Sequence, residues 1–146
     1  MDGEENCMMP AYANGIPIAL GDWVRVFVPR KGIWHHGIVR RIYWAGNGFA
    51  VEIANNMIGR GVIASDWYDF ADGQVVELHR QATSSIHIQE ILARVESNLG
   101  KPYNLFAQNC EHFASLAFNG KAESKSVAVA GFVVLAAIII GLLGAE

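Results

Sequence analysis

The chain is poor in cysteine: only Cys7 and Cys110 stand among its 146 residues. Two thiols make no disulfide framework, and a reducing, cytosolic setting is the simpler expectation. Lys and Arg form no basic block and the net charge is −3, which argues against a nucleic-acid binder driven by phosphate contacts. The acidic start, Met1-Asp2-Gly3-Glu4-Glu5, lacks the basic stretch and apolar run of a secretory signal. No two-plus-two set of Cys and His exists, and His79 and His87 have no ligand spacing, so neither metal nor cofactor is expected. No internal repeat is visible.

What is present is apolar patterning. The hydrophobic fraction is 52%, enough for one domain with a core of useful size. Residues 1–19 read as a flexible leader, with Pro10, Asn14 and Gly15 and no periodicity. Trp23-Val24-Arg25-Val26-Phe27-Val28 alternates like a strand and stops at Pro29. Trp34 to Val39 is a second strand running on towards Trp44. The Asn-Gly signal in Ala45-Gly46-Asn47-Gly48 turns it into a third, Phe49 to Ala54. Short strands follow near Gly59–Ala64 and Gln74–His79, around a turn or helical excursion at Ser65–Asp72. Ile88, Ile91, Leu92, Val95 and Leu99 keep helical spacing up to Gly100 and Pro102. A last helix opens near Cys110 and ends at Asn119-Gly120. The plan is α+β, helices packed on an antiparallel sheet, over residues 20–120.

Val127 to Ala145 is different: nineteen residues without a charge. As a helix it reaches about 28 Å, close to the roughly 30 Å of a hydrocarbon core. It predicts a C-terminal transmembrane helix over 127–145, with Lys121 and Lys125 suited to a cytoplasmic edge. The bland alternative is a buried helix of a soluble fold, although a small domain has little room for a helix apolar on every face.

Asn109-Cys110-Glu111-His112-Phe113 carries the chemistry. A cysteine in the first helical turn faces unpaired N–H groups at the positive end of the dipole, which lowers its pKa. A thiol nucleophile needs a base, and His35-His36 offers imidazole; the base needs an orienting group, and Glu52 lies across the predicted hairpin. In that scheme a carboxylate takes Nδ1–H, leaves Nε2 for sulfur, and the Cys110 amide receives the oxyanion. The inert readings stand beside it. Cys110 is then a small buried residue, the histidines half-buried strand residues, and Glu52 a solvent-facing one. His112 reads as structural, and Arg40-Arg41 as a solvated turn.

Asn109-Cys110-Glu111-His112-Phe113 resembles the NCEHF box of the lecithin:retinol acyltransferase-like family, which includes H-Ras-like suppressor phospholipases/acyltransferases. Gly21-Asp22-Trp23-Val24-Arg25-Val26 resembles its opening strand, and His35-His36-Gly37-Ile38-Val39 its histidine box. Phe49 to Ala54 resembles the strand that follows, and the likeness covers roughly 20–145. It implies a circularly permuted papain-like domain with a C-terminal membrane helix. It implies Cys110 as nucleophile and His35, two before the Gly-Ile pair, as base; His36 takes the aromatic slot. Glu52 stands where animal members have a second histidine, and the added turn residues leave Asn55 as a competitor for that role. The implied reaction is acyl transfer from a phospholipid through a Cys110 thioester to water, an amine or an alcohol. The chain is then a tail-anchored enzyme facing the cytoplasm, with a papain-like peptidase/amidase and a decayed, membrane-associated binding module as rivals.

Overall fold

The computed structural model describes residues 12–104 and 109–122. It opens with a small antiparallel ribbon, β1 (Tyr12–Ala13) and β2 (Ile16–Pro17). Ala13 and Ile18 are buried in the main core, so this part of the expected leader is packed structure. The principal sheet comprises β3 (Trp23–Val28), β4 (Ile33–Trp44), β5 (Phe49–Met57), β6 (Gly61–Asp66) and β7 (Val76–Arg80). Their order is β6-β5-β4-β3-β7, with every neighbouring pair antiparallel. The expected α+β architecture is therefore present.

Alternation along β3 sends Val24 and Val26 to one face of the sheet and Trp23 to the other. The first face is closed by α1 (Trp67–Ala71), where the sequence suggested a turn or helical excursion; Phe70 and Ala71 join Val39, Val51 and Ile53 there. The second face carries α2 (Ser85–Asn98) and α3 (Cys110–Asn119). Ile91 and Val95 of α2 meet Phe113, Ala114 and Ala117 of α3 over Ile38 and Ala54. Each helix starts on a side-chain cap: Ser84 accepts from His87 N, and Asn109 accepts from His112 N. Gly120, at φ 75°, ends α3 in the left-handed conformation.

The β4–β5 hairpin is long and irregular. Its register runs from Trp44–Phe49 to Arg41–Glu52, shifts between Val39 and Arg41, and continues from Val39–Ile53 to Gly37–Asn55. Arg40-Arg41 is thus part of a bulged strand, where a solvated turn was expected. Arg40 ion-pairs with Glu52 on β5 and with Glu96 on α2, fastening the helix to the hairpin. Among the described residues no helix is long and apolar enough to cross a membrane. The run at 127–145 and Cys7 lie outside the described residues.

Candidate active site

Cys110 opens α3 directly after the Asn109 cap, as its place in the sequence predicts. The β4–β5 ladder begins at Gly37–Asn55, and the β4 backbone before that point carries the sulfur. Sγ lies 3.8 Å from the Trp34 carbonyl oxygen and accepts from the backbone N–H groups of His36 and Glu111. Asn56 Nδ2 donates to the Asn109 carbonyl at 3.4 Å and ties the helix start to β5. Burial pushes the Cys110 thiol up, against the lowering effect of those N–H groups. The expectation of a pKa lowered by the helix start is thereby overturned: desolvation outweighs the end of the dipole.

The adjacent histidines point to opposite faces of the sheet and have unlike partners. His36 is buried, and its Nδ1 accepts from Trp23 Nε1–H at 2.9 Å. Indole N–H only donates, so this nitrogen holds no proton and its lone pair is occupied. Burial brings the His36 pKa down to about 4, leaving the ring neutral near pH 7. The His79 ring packs at 5.7 Å from it, and Trp23 touches both.

His35 is half-buried against Phe70, with ring centroids 5.2 Å apart. Its Nε2 lies 3.1 Å from Asn55 Oδ1. Asn55 is fully buried, and its Nδ2 donates to the Ile53 carbonyl at 3.1 Å and to Ser65 Oγ at 3.0 Å. The amide orientation follows, since a carbonyl only accepts. Oδ1 therefore faces His35, Nε2 carries the proton, and Nδ1 keeps the lone pair. This reverses the nitrogens of the sequence-based scheme. Burial also lowers the His35 pKa, opposed by the Asn55 hydrogen bond and aided by Lys31.

Glu52 is not brought to the histidine. It sits opposite Arg41, six residues along β4 from His35, about 20 Å at the usual strand rise. Its carboxylate is committed to Arg40. The hairpin turn sets that distance, since unbroken pairing from Trp44–Phe49 puts Glu52 opposite Arg41, and the bulge at Arg40 then decides which β5 side chain His35 meets. One extra residue exchanges the faces on which the two strands' side chains meet, moving His35 from the face of Glu52 to that of Asn55. Ser65, which holds Asn55, has no signal in the sequence beyond its place on the neighbouring strand.

Gly37 permits this register. A Cβ there would collide with Ile53 Cγ2 and lie 2.8 Å from Phe70 Cε2 and 3.1 Å from the Ala54 carbonyl. His112 lies two residues beyond Cys110 and so points away from it. It lines a pocket of about 70 Å³ with Asn56, Asn98 and Lys101, and its Nδ1 is buried without a hydrogen-bond partner. His87 joins α2 to α3 through the Phe118 carbonyl at 2.8 Å. Among the described residues no group of three metal-ligating side chains converges.

The family model for lecithin retinol acyltransferase matches residues 17–123, and so takes in the helix-opening cysteine, both histidines and the β4–β5 hairpin. The chain belongs to the lecithin retinol acyltransferase family. None of the curated proteins compared with the chain matches it. The lecithin retinol acyltransferase family is one of enzymes that move acyl groups from lipid donors, which sets the general class of chemistry. The matched region ends before the apolar run at 127–145.

Proposed function

We propose that the protein is a thiol acyltransferase/phospholipase A acting on glycerophospholipid esters, with Cys110 as nucleophile, His35 as general base and Asn55 as the residue that positions the base. The observation that carries this reading is the Asn55–His35 hydrogen bond: it holds the proton on Nε2 and leaves Nδ1 basic, while the His36 lone pair is taken by Trp23.

A neutral thiol and a neutral imidazole are the resting forms that burial favours at both residues. In the first step the His35 ring, packed on the α1 face, must reach Sγ where β4 runs beyond the β4–β5 ladder. Its Nδ1 then takes the Cys110 proton as sulfur attacks the ester carbonyl carbon. The tetrahedral oxyanion is met by the backbone N–H of Cys110 at the start of α3, since the His112 N–H is taken by the Asn109 cap. Collapse breaks the carbon–oxygen bond of the ester, and the imidazolium returns its proton to the departing lysophospholipid alkoxide. A thioester remains on Cys110. Water, an amine or an alcohol then loses its proton to His35 and attacks the thioester. The acyl product leaves, and the proton returns to sulfur. Asn55 Oδ1 steadies the imidazolium through Nε2–H at both stages.

A Cys-His-Asn arrangement on a helix start and a sheet suits a permuted papain-like domain, in which the histidine strand precedes the cysteine helix. The run at 127–145 acts in this reading as a single-pass tail anchor that keeps the domain on the cytoplasmic face of the membrane holding its substrate. The test is incubation of the full chain with a phospholipid labelled in its acyl chains, followed by mass spectrometry of the Cys110 peptide. A hydroxylamine-sensitive acyl adduct that Cys110→Ala lacks is the expected result. Acylation by peptide or amide substrates alone would move the site to the peptidase class, and an unreactive thiol would leave a binding module.

A further inference from the structure

β3 and β5 run one way through the sheet and β4 and β6 the other, so the β3–β4 and β5–β6 turns share one end. That is the end where Cys110 rests on β4. The β3–β4 turn leaves Phe27 40% and Ile33 47% exposed, with Arg30 and Lys31 exposed between them. The β5–β6 turn leaves Ile58 61% exposed beside Arg60. Lys101 joins them, because its carbonyl accepts from Val62 N at 2.8 Å at the start of β6. Behind Phe27 its ring meets Trp34 at 5.3 Å, and the Trp34 carbonyl lies under the Cys110 sulfur.

The charges here are one-sided. Residues 27–38, 55–64 and 98–110 hold Arg30, Lys31, Arg60 and Lys101 and no Asp or Glu, in a chain of net charge −3. Arg30, Lys31, Arg60 and Lys101 make no ion pair among the described residues. The neighbouring acids are Glu77, paired with Arg25, Glu111 in the first turn of α3, and Asp72 in the loop leading to β7. The described part of the chain also ends here. Ala122, the last described residue, lines the same pocket as Asn56 and Lys101, and Asn56 holds the carbonyl next to Cys110. Five residues further on, the charge-free run starts at Val127.

We propose that this end of the sheet docks on an anionic phospholipid surface. Phe27, Ile33 and Ile58 enter the boundary between headgroups and acyl chains, and Arg30, Lys31, Arg60 and Lys101 meet the headgroup phosphates and carboxylates. Isolated apolar tips separated by basic ones suit a fluid interface, which takes them in without shape complementarity. The inference rests on the phospholipid reading of the site and adds how a bilayer is presented to Cys110.

The test is hydrogen–deuterium exchange of the full chain reconstituted in phosphatidylcholine vesicles, with and without about 30% phosphatidylserine. Peptides spanning 27–34 and 57–61 gain protection with the anionic lipid. Arg30→Glu/Arg60→Glu and, separately, Ile33→Ser/Ile58→Ser reduce that protection about tenfold, while the Cys110 iodoacetamide rate in detergent is unchanged. Exchange at both turns that ignores anionic lipid and both double variants overturns the docking. Protection without acyl transfer would keep the docking and remove the phospholipid chemistry; acyl transfer without protection would do the reverse.

Discussion

His35 Nε2 and Asn55 Oδ1 stand 3.1 Å apart, joined just beyond the first pair of the β4–β5 ladder, Gly37–Asn55, and this contact decides which nitrogen of the imidazole is free. A carboxamide whose N–H groups are already spent presents only its oxygen. The imidazole has one tautomer left to it.

Removing the orienting group therefore costs more than removing the carboxylate that the sequence favoured. Asn55→Ala lowers kcat/KM for a phospholipid ester by about 100-fold and moves the acid limb of the pH profile to lower pH, since the hydrogen bond raises the His35 pKa. Glu52→Gln changes kcat/KM by less than about threefold, as its partner is Arg40. Steady-state kinetics of the two variants checks this, and the reverse order would restore Glu52 as the orienting residue.

The pH profile should be broad. Activity needs neutral His35, whose pKa is lowered, so it persists below the ordinary histidine value of 6.5 and is lost as pH falls further. The alkaline limit lies above the ordinary thiol value of 9.0, because burial raises Cys110. A resting thiolate–imidazolium pair would instead keep iodoacetamide reactivity high well into acid. Alkylation rates of Cys110 from acid to alkaline pH distinguish the two.

Stability should fall in mild acid through His36. Its pKa drops from 6.5 unfolded to about 4 folded, so above 6.5 both states are neutral and the group contributes nothing to the pH dependence. As pH falls from 6.5 towards 4 the unfolded chain takes up a proton that the folded one refuses, a loss approaching about 3 kcal/mol. Urea titrations across this window should show it. His36→Gln, which keeps an acceptor for Trp23, should flatten that part of the curve.

Gly37→Ala should separate folding from site geometry. Its methyl group meets Ile53, Phe70 and the Ala54 carbonyl, and the expected cost is about 1–3 kcal/mol by thermal or urea unfolding. The strain falls on the Gly37–Asn55 pair, so kcat should drop even where the domain remains folded. A variant with normal stability and activity would show that the pair tolerates spreading.

Much of this was legible in the chain. The alternation of Trp23 to Val28 predicts β3, and the spacing of Ile91 and Val95 predicts the buried stripe of α2. Asn109 before Cys110 and Gly120 after Asn119 delimit α3. Ala13 is the contrary case: a two-residue strand has too little pattern to be read, yet Ala13 is wholly buried.

The sequence by itself determined the α+β plan, the cysteine at a helix start, the histidine pair before it and the resemblance to an acyltransferase family. These depend on local periodicity, on caps and on short boxes of residues. Only the tertiary structure decided which histidine keeps a free lone pair, that Asn55 holds it, and that the Cys110 thiol is raised. The physical reason is that each of these turns on a long-range event. A single bulge at Arg40 exchanges the strand faces, an indole from β3 occupies His36, and burial between α3 and β4 outweighs the helix end that the sequence alone could see.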